Sequence, residues 1–324
     1  MTNVALGAMR ALDYVSIALV LGALAFLLRL TPAALRDGSF ERGVWGVLVA
    51  GLVLGVPVDV LGILLQAAHQ AGTSLWSLHW SAVTHAFDAR TGWVWVVQAV
   101  LLAASLAGLR SRGHGLFTIW LILVGAFLAL APALYGHAAV QSPVWAFFPA
   151  DVAHVLAAGV WVGGIACVVF ALPPAIRAAE PPQRTDLLVD VLARFSPVAL
   201  GAVAVLAVTG VIQAYIAVRT LNALTHTTYG ELVLLKIGLL GLLIGLGAIN
   251  RERVIPTLRR LRTAGAPASE TGVLLARTTR GELATMACVF AVTAALLAYT
   301  PPVGRASAGV GAAHVRDAVR ATPR

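Results

Sequence analysis

The sequence predicts an all-α fold, a polytopic membrane bundle of about eight transmembrane helices, and two observations predict it. Hydrophobic residues make up 59% of the 324 and charged residues only 11%, with a mean hydropathy of +0.88, whereas soluble domains are about a quarter charged. Apolar runs of about 20 residues, the length that crosses a hydrocarbon core, recur at 11–30, 44–68, 92–109, 115–135, 151–172, 196–218, 230–250 and 282–300. A segment inside a bilayer must satisfy its own backbone hydrogen bonds, and runs this long and uniformly apolar exclude barrel strands.

The first run follows Arg10, but no small-residue cleavage site intervenes before Arg29, so it is read as a retained span. Four spans fall in 1–135 and four in 136–300, which divides the chain into two halves followed by a flexible tail at 301–324. A faint repeat supports the division. Asp13 and Asp151 open the first and fifth spans, Gly92 and Gly230 open the third and seventh, and both pairs are offset by 138 residues, which makes the halves parallel copies.

Arginine placement orients the spans. The odd-numbered connections hold Arg29, Arg36, Arg42, Arg110, Arg112, Arg177, Arg184, Arg194, Arg251, Arg253, Arg259, Arg260, Arg262, Arg277 and Arg280, while the even-numbered ones hold only Arg90 and Arg219. The odd connections are therefore expected in the cytoplasm and both termini outside, in a cytoplasmic (inner) membrane. The net charge of +9 is spread over short loops beside helix ends, where anionic lipid headgroups rather than nucleic acid are the partner. Within the last inner loop, Val254, Ile255, Leu258 and Leu261 alternate with arginines, which predicts an amphipathic helix along the inner surface.

Orientation assigns depths to the polar residues. His69, His79, His85, His137, His226 and His314 fall outside, His114 inside, and His154 one turn within the fifth span. Asp151 and His154 are spaced i, i+3 on one helix face, and a short loop leads to them from His137. A carboxylate and two imidazoles converging there suit Cu(II) or Zn(II), so His137, Asp151 and His154 are the candidate metal ligands, with His69, His79, His85 and His226 secondary. Interfacial histidines also serve to satisfy helix ends and headgroups, but His154 is intramembrane and paired. Asp13, Asp59 and Lys236 lie within apolar runs, where isolated charge is costly, so each is expected to face the bundle interior, with Asp59–Lys236 or Glu231–Lys236 as pairings.

Other features narrow the chemistry. Cys167 and Cys288 form no CxxC and read as core residues, and the three methionines make no thioether path. Gly159 and Gly163 in one span, Gly241 and Gly245 in another, predict close helix approach. There is no GxxxxGK[ST] run and no sizeable soluble segment to house another nucleotide site, so transport would be passive or ion-coupled. No residue is assigned a catalytic role.

Several segments in order, GHAAVQSP (136–143), DVAHVLAAGVWVGG (151–164), ARFSPVAL (193–200), VTGVIQAY (208–215), TTYGELVLLK (227–236) and NRER (250–253), resemble the copper resistance protein D family. The D-x-x-H-x(6)-W-x-G-G piece is the most specific, and the resemblance runs from about 134 to 253. It implies an inner-membrane protein that handles copper, receiving it from a periplasmic carrier resembling copper resistance protein C. It carries over to His137, Asp151, His154, Trp161, Gly163, Gly164, Tyr229, Gly230 and Lys236, with Trp161 walling off the site two turns deeper. Two other readings stay open: a b-type haem held by two axial histidines, and a non-transporting subunit that docks a copper carrier through 69–90, with Trp76, Trp80 and Phe87.

Overall fold

The computed structural model describes residues 2–88, 90–136, 143–266 and 269–299. His137, His314 and the tail at 301–324 lie outside the described residues. The helices are α1 (Thr2–Ala25), α2 (Ser39–Gln70), α3 (Trp80–Asp88), α4 (Arg90–Ala107), α5 (Gly115–Tyr135), α6 (Val144–Ala178), α7 (Pro181–Val218), α8 (Leu221–His226), α9 (Thr228–Ile249), α10 (Ile255–Thr263) and α11 (Ser269–Ala298), and no strand occurs among the described residues. Among the described residues, eight segments are long and apolar enough to cross a membrane. One end of the bundle carries His69, His79, His85 and His226, and is called the histidine end; the other carries the clustered arginines, the arginine end.

Local signals explain most helix ends. Pro181 and Pro182 open α7, where a missing N–H costs nothing. Thr220 and Thr227 cap α8 and α9 by accepting from the backbone N–H of Ala223 and Gly230, each at 3.1 Å. Internal prolines at 57, 132, 149 and 197 leave their helices continuous, as packed membrane helices tolerate.

Several helices are longer than their apolar runs. The loop expected before Asp151 is helical from Val144 onward, so His154 lies about 15 Å along α6 at ~1.5 Å per residue, not one turn in. α7 and α11 likewise begin well before their apolar stretches. The expected surface helix is corrected too: α10 continues α9 through a π turn at Asn250–Val254. Its apolar side, with Val254, Ile255 and Leu258 buried, packs on α7 rather than on lipid. Arg262 pairs there with Asp186 at 3.0 Å and Asp190 at 2.8 Å.

The bundle is built around the α1–α6 contact. A Cβ at Gly22 would lie 2.1 Å from the Gly163 carbonyl carbon, and one at Gly163 would lie 1.8 Å from the Ala18 oxygen, so the two backbones touch. Around this pair α1 packs on α2 as α6 packs on α7, and α4 on α5 as α9 on α11. The likeness stops at one interface: α4 packs along α2, whereas α9 meets α7 only marginally. α9 is correspondingly the least buried span, and Gly241 and Gly245, expected at a close approach, face open space. Trp76, Trp80, Trp93, Trp145 and Tyr215 are all exposed toward the histidine end, as an aromatic belt at a membrane interface requires.

Gly163→Ala is expected to lower the thermal midpoint of the detergent-solubilised protein, the overpacking costing about 1–3 kcal/mol. Gly241→Ala should leave the midpoint unchanged or raise it slightly through helix propensity. Equal midpoints for both variants would contradict the α1–α6 contact.

Candidate functional site

The site begins on the facing surfaces of α6 and α7. Asp151 and His154 project from α6 at i, i+3, and Thr209 and Gln213 project from α7 at i, i+4, so each residue of one pair meets one of the other. Gln213 Nε2 donates to Asp151 Oδ1 at 3.2 Å. His154 Nδ1 lies 2.9 Å from Thr209 Oγ1. That hydroxyl already donates to the Val205 carbonyl at 2.7 Å, so its oxygen is an acceptor and Nδ1 carries the ring proton. Nε2 is left with its lone pair free, the state in which imidazole binds a metal or takes a proton.

Lys236 enters from α9, half-buried, and acts electrostatically on both Asp151 and His154. Tyr14 of α1 closes the opposite side, within electrostatic reach of Asp151 and of Asp13. Two turns below His154, buried Trp161 forms the upper wall of a cavity of about 360 Å³ between α6, α7, α9 and α11. The polar groups on its lining are Ser196, Asn250, Arg251, Glu252, Thr279 and Glu282. Asn250 Nδ2 donates to Glu282 Oε1 at 3.1 Å, Thr278 donates to Asn250 Oδ1, and Arg251 donates to Ser196 at 3.2 Å. The cavity therefore lies deeper than the Asp151–His154 site, with Trp161 between them, and ends on polar groups at the arginine end.

The structure brings Asp151 and His154 together and leaves the remaining histidines apart. His69, His79, His85 and His226 are exposed, and among the described residues no group of three or more His, Cys, Asp or Glu forms a metal cage. Of the described histidines only His154 is half-buried, so those residues supply no pair of axial haem ligands. The expected pairings of Lys236 are corrected. Asp59 bonds instead with Gln98 at 3.0 Å, Glu231 is exposed, and Lys236 lies by Asp151, because α9 packs away from α2. Cys167 is buried and Cys288 exposed. Thr209, Gln213, Asn250 and Glu282 were not foreseen, although the first three lie inside VTGVIQAY and NRER, segments that mark the chain.

A multi-pass helical membrane protein with a polar site inside its last four spans is the class this fold and site define. Two family models match the chain: Copper resistance protein D over residues 189–296, and Copper resistance protein D-like, N-terminal domain, over residues 1–146. The chain belongs to the copper resistance protein D family, which is named for copper resistance and not for a catalysed reaction. Copper transport protein CutJ of Bacillus subtilis (strain 168) is similar, 36% identical over 170 residues that make up 51% of this chain and 31% of that protein. Copper resistance protein D of Pseudomonas syringae pv. tomato is 28% identical over 222 residues, 66% of this chain and 70% of its own length. The chain thus spans about a third of the Bacillus relative and about two thirds of the Pseudomonas one. No solved structure matches.

Thr209→Val removes the acceptor that holds the His154 tautomer. Nitrogen-15 histidine NMR should show a single Nδ1–H tautomer for His154 in the parent protein and a mixture in the variant. An unchanged spectrum would mean that Thr209 does not orient the ring.

Proposed function

We propose that the chain carries copper across the cytoplasmic membrane, taking it up at the histidine end, which faces the periplasm, and releasing it at the arginine end in the cytoplasm. The observation that carries this reading is the convergence of three separate segments. DVAHVLAAGVWVGG supplies Asp151, His154 and Trp161, VTGVIQAY supplies Thr209 and Gln213, and TTYGELVLLK supplies Lys236, and below this group Trp161 walls a cavity that ends on Asn250 and Glu282. The orientation rests on the fifteen arginines of the odd connections, and copper on the names of the relatives.

In this reading copper is the cargo. His154 Nε2 and the Asp151 oxygen not held by Gln213 are the two donors this part of the site offers, and imidazole with carboxylate suits Cu(II). His137, outside the described residues, is the third donor in this proposal. Thr209 and Gln213 orient the two ligands, a role whose loss typically costs about 10–100-fold in metal affinity. Lys236 balances Asp151 when no metal is bound, and its charge opposes an arriving cation. That opposition weakens the site, which suits cargo that must leave again. A periplasmic carrier resembling copper resistance protein C is the implied donor at the histidine end.

Elemental analysis of the purified protein after copper loading, with the His137→Ala/His154→Ala double variant alongside, tests the site. Stoichiometric copper in the parent and its loss in the variant are expected, and equal copper in both would overturn the ligand assignment. Lys236→Met should tighten copper binding by about tenfold, equivalent to ~1.4 kcal/mol, because it removes the opposing charge. Weaker binding would instead make Lys236 part of the scaffold.

A further inference from the structure

A second polar cluster lies on the other side of α1. Asp13 of α1 and Asp59 of α2 are each 1% exposed, and Gln98 of α4, between them, is fully buried. Gln98 Nε2 donates to Asp13 Oδ1 at 2.5 Å and to Asp59 Oδ1 at 3.0 Å, and the Tyr135 hydroxyl of α5 donates to Asp13 Oδ2 at 2.6 Å. The two carboxyl groups act on each other electrostatically and are bridged by the one Gln98 amide nitrogen. Trp95, edge-on to Tyr135 at 5.6 Å, covers the cluster and lies against α2 at Gly62, where a Cβ would fall 1.4 Å from its ring.

Among the described residues the side chains of the cluster itself are short of donors, and Nε1 of the neighbouring Trp95 is a buried donor that also has no partner. Both N–H groups of Gln98 and the Tyr135 hydroxyl are spent, while Asp59 Oδ2 and Gln98 Oε1 are buried acceptors with no partner. Such orphans are costly in a dry interior, and two carboxylates in contact there do not both stay ionised. A proton on Asp59 Oδ2 removes both faults, since it neutralises one carboxylate and supplies the missing donor.

The surrounding charges point the same way. Arg10, one turn before Asp13 on α1, is the cation that acts on Asp13, and its own Nε has no partner. Tyr14 follows Asp13 and faces Asp151 of α6. α11, which also packs on α1, has Arg277, Arg280 and Glu282 in its first half, toward the arginine end, and an exposed Cys288. Arg10 thus acts on Asp13, while no cation is among the groups that act on Asp59. The offset of 138 residues that relates Asp13 to Asp151 also relates Gln98 to Lys236. Where the later spans set a fixed cation beside their aspartate, the earlier ones set a neutral amide and a second carboxyl.

We propose that Asp13, Asp59 and Gln98 form an intramembrane proton-binding site, with one exchangeable proton held on Asp59 Oδ2 within the cluster. The proton comes from water at the histidine end and returns there or passes on, and no other bond changes. As the coupling ion for copper movement, it would be linked to Asp151 through Tyr14. That role rests on the transport reading, whereas the proton site itself does not.

Infrared spectroscopy of the reconstituted full chain tests the site. The parent protein should show a protonated-carboxyl C=O band at neutral pH that shifts in D2O, disappears as pH is raised, and is missing in Asp59→Asn. No band, a band that D2O never shifts, or one that survives Asp59→Asn would overturn the proposal. If Asp59→Asn fails to fold, Tyr135→Phe serves instead: loss of a donor to Asp13 should move the band and its titration upward, and a band indifferent to it overturns the assignment. In vesicles, copper flux in the parent should respond to an imposed pH gradient and lose that response in Asp59→Asn. A flux indifferent to the gradient overturns the coupling role. Absence of any flux overturns both the transport reading and the coupling role, and leaves the proton site to the infrared result.

Discussion

The contact between the α1 and α6 backbones at Gly22 and Gly163 is the constraint on which the rest of the molecule depends. Lipid tails are as apolar as leucine, so membrane helices gain little by hiding side chains from one another, and close van der Waals packing through small residues holds them together. Here that packing puts two polar helices back to back. α1 turns Asp13 toward α2, α4 and α5, while its next residue, Tyr14, faces Asp151 of α6. A side chain at either glycine would separate the helices and with them the two polar clusters.

The two halves solve the same problem with different chemistry. Around Asp13 the helices close fully, α4 lying along α2, and the cluster is sealed beneath Trp95 and Tyr135. Around Asp151 the corresponding helix α9 stands off from α7 and leaves a cavity running toward Glu282 and Asn250. A sealed acid pair suits a proton, which needs no room. An imidazole nitrogen and a carboxylate oxygen set above a cavity suit something larger that enters and leaves.

Much of this was legible in the chain. Apolar run lengths gave the eight spans, and the i, i+3 spacing put Asp151 and His154 on one face. The ends of the helices were not, because α6, α7 and α11 continue through polar or proline-containing sequence that packing, not hydropathy, keeps helical. The amphipathic pattern at 251–262 was real, yet its apolar face found α7 instead of lipid, since periodicity reports that a face is buried without naming what buries it. Lys236 had two candidate partners in one dimension, Asp59 and Glu231, and the structure sets it within electrostatic reach of Asp151 instead, because α9 packs away from α2.

What the sequence by itself determined was the solvent and therefore the architecture: a chain this apolar must cross a membrane as helices, since no other open backbone can satisfy its hydrogen bonds there. Only the tertiary structure decided which polar residues meet. Gln98 carries no signal of its own in a string of apolar residues, and its place between Asp13 and Asp59 depends on how three helices are rotated about their axes. So does the pairing of Thr209 with His154. Rotation is set by packing along the whole helix length, a property of surfaces in contact that no local window of sequence contains.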